Sequence, residues 1–280
     1  MTKVIINADD LGISLAVNQR IEAAIKAGAI TSSTIVANGP AFDDAVRIAM
    51  QYPQISFGVH LNVIEFAPLM NEGTFRKYGM ISESGEFLEG AVYVVPEYTD
   101  ELKQAIYEEF NAQIIKVKQS GVRISHLDSH QHTHTIYDLR NVIMQLMTRH
   151  DVKKVRRCLI PSIRLMLWGQ KGNAIKLDKS KAVTPKKRNV LWRRWHLFVV
   201  KYQCAKWIRM FRSTSTITDG FYAYHTVCDN WNILKSNIEG RCVELMCHPG
   251  HPAYESESAM VMQKQLSKLT DVQYINYNDL

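Results

Sequence analysis

"KVIINADDLGISLAVNQRIEAAIKAG", residues 3–28, sets two periodicities back to back. The opening "KVIINA" is β-branched and apolar and reads as a strand. Beyond it Ser14 can cap a helix in which Val17, Ile21, Ala24 and Ile25 share one face, and Gly28 ends it. The same unit recurs downstream. "TSSTIVAN" (31–38) reads as a strand and "AFDDAVRIAMQYP" (41–53) as a helix stopped by Pro53. "ISFGVHL" (55–61) is a third strand, and a helix from about Thr99 to Ser120 stacks Leu102, Ile106, Phe110, Ile114 and Val117 in one stripe before Gly121. "VRISHLD" (122–128) is a fourth strand, followed by a helix over "YDLRNVIMQLMTRH" (137–150). "VKKVRRCLI" (152–160), "TSTIT" (214–218), "CVELMC" (242–247) and "VQYINY" (272–277) supply later strands.

Strand and helix alternating at this spacing imply a parallel sheet with helical crossovers. A barrel and an open doubly wound sheet both satisfy the pattern. No GxGxxG or GxxxxGK[ST] turn follows a strand, so nucleotide-binding versions lose weight. Seven or eight strands favour a TIM-like (β/α) barrel, and 280 residues suit one such domain over 1–280. Residues 62–98 form a long excursion from the third strand, suited to a lid or substrate flap. Residues from about 161 to 213 form a basic insertion.

Hydrophobic residues make up 46% and charged residues 22%, a globular balance. No apolar run approaches the roughly 18 residues of a membrane span, and the N-terminus lacks the long apolar core of a signal peptide. The five cysteines are widely spaced without a CxxC pair, against a disulfide framework or structural zinc and in keeping with a reducing cytoplasm. The net charge of +7 is uneven. From Lys153 to Arg212 Asp178 is the single acidic residue, and the rest of the chain is acidic.

Unusual polar residues fall where strands end. Asp9 and Asp10 close the first strand, His60 the third, "HLDSHQHTH" (126–134) the fourth, and His248 and His251 follow "CVELMC". Four strands thus deliver carboxylate or imidazole to one rim, the place where a barrel carries its active site. Adjacent carboxylates point to different sides, so one can bind a metal while the other accepts a proton. One carboxylate and two imidazoles leave coordination positions open, as at a catalytic ion. Such an ion lowers the pKa of its water and polarises a carbonyl, a carboxylate serves as general base, and a histidine opposite serves as general acid. The alternative for "ADD" is a helix N-cap, for which Ser14 is better placed.

"INADDLG", "TSSTIVANGPAFDDA", "GVHLN", "HLDSHQHTH" and "ELMCHPGH" follow one another in the order and spacing of the YdjC-like carbohydrate deacetylase family, the chitooligosaccharide deacetylases, which this chain resembles over 4–160 and 240–252. The resemblance implies a distorted TIM-like barrel and metal-dependent removal of acetyl groups from N-acetylglucosamine oligomers. It implies that Asp10, His60 and His130 bind one divalent ion, Mg²⁺ or Zn²⁺. Asp9 would then be the catalytic base and His248 the acid that protonates the leaving amine. Spacing alone does not choose His130 from His126, His132 and His134. Asp128 and His132 would orient ligands or touch sugar hydroxyls. His126 is equally a packed core histidine, and His134, His150, His196 and His225 have no motif support. The chain departs from the family at Leu11, where an aromatic is usual, in "HLNVIEFAPL" after His60, and in "SESAMVMQKQ" after "HPGH", where an arginine–glutamate helix start is usual.

The aromatic-rich basic run "TPKKRNVLWRRWHLFVVKYQCAKWIRMFR" could serve nucleic acid or an anionic membrane. It reads better as a barrel helix with aromatics inward and cations solvated. A further reading is a non-haem metal enzyme using His126 and Asp128 of "HLD". The expected partners are a small acetylated oligosaccharide and, in solution, a second copy as homodimer, with no nucleic acid.

Overall fold

A computed structural model describes residues 1–158, 190–228, 230, 238–264 and 272–280, with side chains of the second stretch from residue 198 onward. Residues 161–189 of the expected basic insertion, Leu159 and Ile160 of the expected strand before it, and the side chains of Arg193, Arg194 and His196 lie outside the described residues. The elements are β1 (Thr2–Leu11), α1 (Leu15–Lys26), β2 (Ser32–Ile35), α2 (Phe42–Gln51), β3 (Ser56–Leu61), α3 (Glu72–Lys77), α4 (Asp100–Gln119), β4 (Ile124–Ser129), α5 (Arg140–His150), α6 (Val190–Thr214), β5 (Gly220–Ala223), β6 (Cys242–Cys247), α7 (Glu255–Met262) and β7 (Val272–Tyr274).

Local chemistry explains the element ends. The Ser14 hydroxyl accepts from Val17 N at the start of α1, and Thr99 accepts from Leu102 N at the start of α4. Each supplies an acceptor to an amide that the first helical turn leaves unpaired. The inward stripes are those of the sequence: Val17, Ile21, Ala24 and Ile25 on α1, and Leu102, Ile106, Phe110, Ile114 and Val117 on α4 are buried in one core. Each fully buried aliphatic of this kind contributes about 1.5–3 kcal/mol by leaving water.

All ladders are parallel, in the order β4-β3-β2-β1-β6-β5, with β7 pairing the start of β1. The two edges of that sheet are joined through single bridges. Leu127 N donates to Lys154 O and receives Arg156 N on its own carbonyl, while Val155 N and Thr216 O, and Thr216 N and Lys153 O, pair on the other side. The seven-stranded sheet therefore closes into a distorted barrel. Among the described residues, 152–158 of "VKKVRRCLI" and the "TSTIT" run contribute isolated bridges here instead of the full strands expected. The strand after "TSTIT" begins later, at Gly220.

The barrel interior is polar and tightly filled. Gly58 on β3 faces His126 on β4, and a Cβ there would lie 2.6 Å from His126 Cε1 and 2.8 Å from its carbonyl oxygen. Tyr277 closes the floor, its ring stacked on His126 at 3.5 Å and its hydroxyl donating to Glu244. The excursion 62–98 has its own apolar contacts, with Phe75 edge-on to Phe87 at 5.0 Å. It reaches the loop after β4, where Tyr93 donates to the Gln131 carbonyl and Gln131 Nε2 donates to Glu89.

Candidate active site

Asp9 and Asp10 sit where the pairing of β1 with β2 slips between Ala8 and Leu11, and Asp10 takes a left-handed φ of 73°. A bulge of this kind re-aims side chains at a barrel rim, and aspartate tolerates the left-handed region better than most residues. The two carboxylates consequently point to different neighbours. Asp10 Oδ1 lies 3.0 Å from His130 Nδ1 and 3.3 Å from His60 Nε2. His60 is the penultimate residue of β3, and His130 follows β4 directly.

One ligand atom from each of Asp10, His60 and His130 lies within 4.8 Å of the others, so the three expected metal residues converge. Bonds of 2.0–2.2 Å to a common ion place neighbouring ligand atoms about 3.0–3.4 Å apart. The 3.0 and 3.3 Å contacts of Asp10 fit that spacing. The donor set, one carboxylate and two imidazoles, suits a divalent ion with open positions. Behind His60, Asp128 Oδ1 takes up Nδ1 at 2.8 Å, which turns Nε2 toward Asp10.

Charge at this cluster is strongly coupled. Burial pushes His60 down, but the Asp128 charge and hydrogen bonds to Asp10 and Asp128 outweigh it and raise the imidazole to about 10. His130 behaves alike, burial opposing the charge and hydrogen bond of Asp10, and is raised to about 9. Burial raises Asp10, yet His130 and His60 hold it well below the usual carboxylate range.

A second triplet, Asp9, His60 and Asp128, is equally close. Its centre is already served by a cation. The fully buried Arg156 clamps Asp9 with Nη1 at 2.7 Å and Nη2 at 2.6 Å, meets Asp128 at 2.9 Å, and meets Glu244 at 2.8 Å. Three carboxylates thus share one guanidinium. Burial raises Asp9, but the Arg156 charge and hydrogen bonds prevail and hold it below the ordinary range. Glu244 goes the other way. Burial outweighs Arg156 and pushes it up to about 7.

His248 follows β6 on another side of the rim. Its Nδ1 lies 3.1 Å from Glu257 Oε1, which also accepts the His248 backbone amide at 2.8 Å. The other Glu257 oxygen meets His225 Nδ1 at 2.6 Å. Tyr254 stacks on the His248 ring at 4.3 Å. Burial lowers His248, and the Glu257 hydrogen bond with the charges of Asp9 and Asp10 raises it above its ordinary value. That electrostatic coupling puts His248 within the field of both rim carboxylates.

The remaining candidates divide. Asp128 is fully buried, with its oxygens on His60, Thr34 and Arg156, so it orients the site and offers no edge to a sugar. His132 sits in the left-handed region at φ 63°, edge-on to Phe221 at 5.4 Å, and its Nδ1 lacks a partner among the described residues. Burial and the Arg156 charge lower it to about 3, so its ring is neutral. His126 is a packed interior residue under Tyr277, and His134 is likewise interior, bonded to Ser129 and the Arg156 carbonyl. Sequence reasoning missed Arg156, Glu244, Glu257 and His225. A lone glutamate inside the apolar "CVELMC" was the available signal, because charges are almost never fully buried unpaired.

A closed parallel α/β barrel with an aspartate–histidine cluster at the C-terminal ends of its strands belongs to the class of barrels that bear their chemistry on that rim. More narrowly, the chain belongs to the YdjC-like protein family, whose model matches residues 3–279. It is similar to proteins named carbohydrate deacetylase. It is 35% identical to one from Halalkalibacterium halodurans over 59% of this chain and 68% of that protein. It is 26% identical to one from Clostridium beijerinckii over 99% and 96%. With one from Vibrio cholerae serotype O1 it shares 35% identity, but the match spans only 57% of that protein and 54% of this chain. Among solved structures it resembles a candidate cellobiose-phosphate cleavage protein from Enterococcus faecalis V583. That likeness has a TM-score of 0.68 at 20% identity over 99% of this chain and 98% of that one, and speaks to the fold.

Proposed function

We propose that the protein is a metal-dependent carbohydrate deacetylase that hydrolyses the N-acetyl amide of chitooligosaccharide-like amino sugars. The observation carrying this reading is the convergence of Asp10, His60 and His130 beside an arginine-held Asp9 and a glutamate-held His248. The names of its relatives support the same substrate class.

Asp10, His60 and His130 would hold a divalent ion, Mg²⁺ or Zn²⁺, which when bound would supply Lewis acidity toward the acetyl carbonyl and toward water. Asp9 accepts the proton of the attacking water. Arg156 keeps that carboxylate ionised and fixed in direction, at the cost of some basicity. His248 gives a proton to the departing nitrogen. Glu257 on Nδ1 fixes the ring and leaves Nε2 as the donating edge. The neutral His132 is available for a sugar hydroxyl. Water and amide are thereby converted to acetate and amine, with one proton taken and one returned. The ligand set, with its imidazoles held by neighbouring acids, favours this hydrolytic role over a non-haem oxygenase built on His126, whose ring is packed under Tyr277. On α6, the face with Trp207, Ile208 and Phe211 is buried, which supports a structural part for that helix over nucleic-acid binding.

Acetate release from chitobiose, chitotriose and N-acetylglucosamine, before and after chelation and metal return, tests the reading. Chelator-sensitive release restored by metal is expected. Release indifferent to complete metal removal refutes the metal role, and no release from any acetylated sugar refutes the activity.

A further inference from the structure

Two of the five cysteines meet outside the Asp10–His60–His130 cluster. Cys158 lies on the run that bridges β4 and carries Arg156, and it is 3% exposed. Cys204 lies on α6 and is 9% exposed. Their sulfurs stand 3.2 Å apart, with the Cys158 thiol donating to Cys204. Cys204 shares its helix face with Trp207, Ile208 and Phe211, all buried, so the approach belongs to a docked helix and not to a loose side chain. Trp207 stacks on Phe211 at 4.0 Å, and its Nε1 donates to the His134 carbonyl.

We propose that Cys158 and Cys204 are a redox-modification site, forming a reversible disulfide that fastens α6 to the barrel run bearing Arg156. The sulfurs need to close by little more than 1 Å to reach the roughly 2.05 Å of a disulfide. The oxidant is hydrogen peroxide, whose small size suits a sulfur as covered as that of Cys204. Cys204, as thiolate, attacks the peroxide oxygen and breaks the O–O bond, becoming a sulfenic acid as the first water leaves. Cys158 then attacks the Cys204 sulfur, forming S–S and releasing the sulfenic oxygen as the second water. Two thiols lose two electrons and two protons, and the peroxide is reduced. The direction follows from the contact, because the hydrogen bond from Cys158 lowers Cys204, and that bond together with burial pushes Cys158 up. A dithiol reverses the bond by exchange.

The full chain, treated with submillimolar hydrogen peroxide and then alkylated under denaturing conditions, should lose two titratable thiols of its five. Peptide mapping should find one linked pair containing Cys158 and Cys204, absent after dithiothreitol. After limited trypsin cleavage between 159 and 203, the fragments should stay joined until reduced. Cys204→Ala and Cys158→Ala should each abolish the linked pair, and the wild-type map stands on its own if either variant fails to fold. Retention of all five thiols overturns the proposal, as does their loss without a 158–204 link or with sulfinic acid as the main product.

Discussion

Replacing Arg156 with methionine keeps most of the side-chain length and removes the charge that Asp9, Asp128 and Glu244 share. Removing one partner of a buried ion pair costs about 3–5 kcal/mol, because the other charge is left in low dielectric. With three carboxylates on one guanidinium, the upper end of that range applies, about 5 kcal/mol at pH 7.5. At about 2–4 °C per kcal/mol for a chain of this size, the melting temperature should fall by roughly 10–20 °C. The sign of its pH dependence follows. Without the guanidinium, burial raises the folded pKa of Asp9 and Glu244 above their unfolded values near 4. A raised carboxylate has its full relative stability below the unfolded pKa and loses it as pH rises through the folded one. The gap between Arg156→Met and wild type should therefore narrow from pH 7.5 to pH 5, and adding Glu244→Gln should recover part of it. Calorimetric melts at pH 7.5, 6 and 5 give the answer. A loss below about 2 °C, or one that acid leaves unchanged, refutes the account of Arg156 as the shared counter-ion.

With His60 at about 10 and His130 at about 9, both imidazoles carry protons at neutral pH in the metal-free protein, so Zn²⁺ or Mg²⁺ uptake should release up to about two protons. Titration calorimetry in buffers of different ionisation enthalpy reads that number, and a heat independent of buffer speaks against the ligand assignment. Asp9→Asn and His248→Ala should each lower kcat about 10²–10⁴-fold while metal binding persists, whereas His130→Ala should lose the metal. His248 must be protonated to act and its pKa is raised, so activity should fall as pH rises through that value. Glu257→Gln should move this alkaline limb toward acid, and an unmoved limb would assign the acid elsewhere. Gly58→Ala should cost about 1–3 kcal/mol or more in urea unfolding, since its methyl would meet the His126 ring at 2.6 Å.

The strands and helices that the sequence makes legible are those with strong local period: β1 and α1, the stripe of α4, and the "CVELMC" strand all stand where expected. The barrel is legible as a strand count that includes "VKKVRRCLI" and "TSTIT", but that these pair only through single bridges at Val155 and Thr216 depends on long-range geometry. Among site residues, imidazoles and carboxylates at strand ends advertise themselves by rarity. Arg156 does not, since it sits among four cations in "VKKVRR" and only burial distinguishes it. Glu257 was hidden differently. It lies in the "SESAMVMQKQ" segment that departs from the family pattern, and only the approach of α7 to the end of β6 brings it onto His248.

The pairing of β1 bears on how the molecule is made. Lys3 is bonded beside Cys242, and Thr2 beside Val272. At roughly 5–20 residues per second, a ribosome needs on the order of 10–50 s between making Lys3 and making Cys242. Throughout that interval β1 has β2 on one flank and an open row of amides and carbonyls on the other. The strand that carries both rim aspartates is thus born first and enclosed last. In the living cell, the hazard for this barrel is concentrated in its nascent N-terminal half, where a waiting apolar strand invites chaperones or a neighbouring chain.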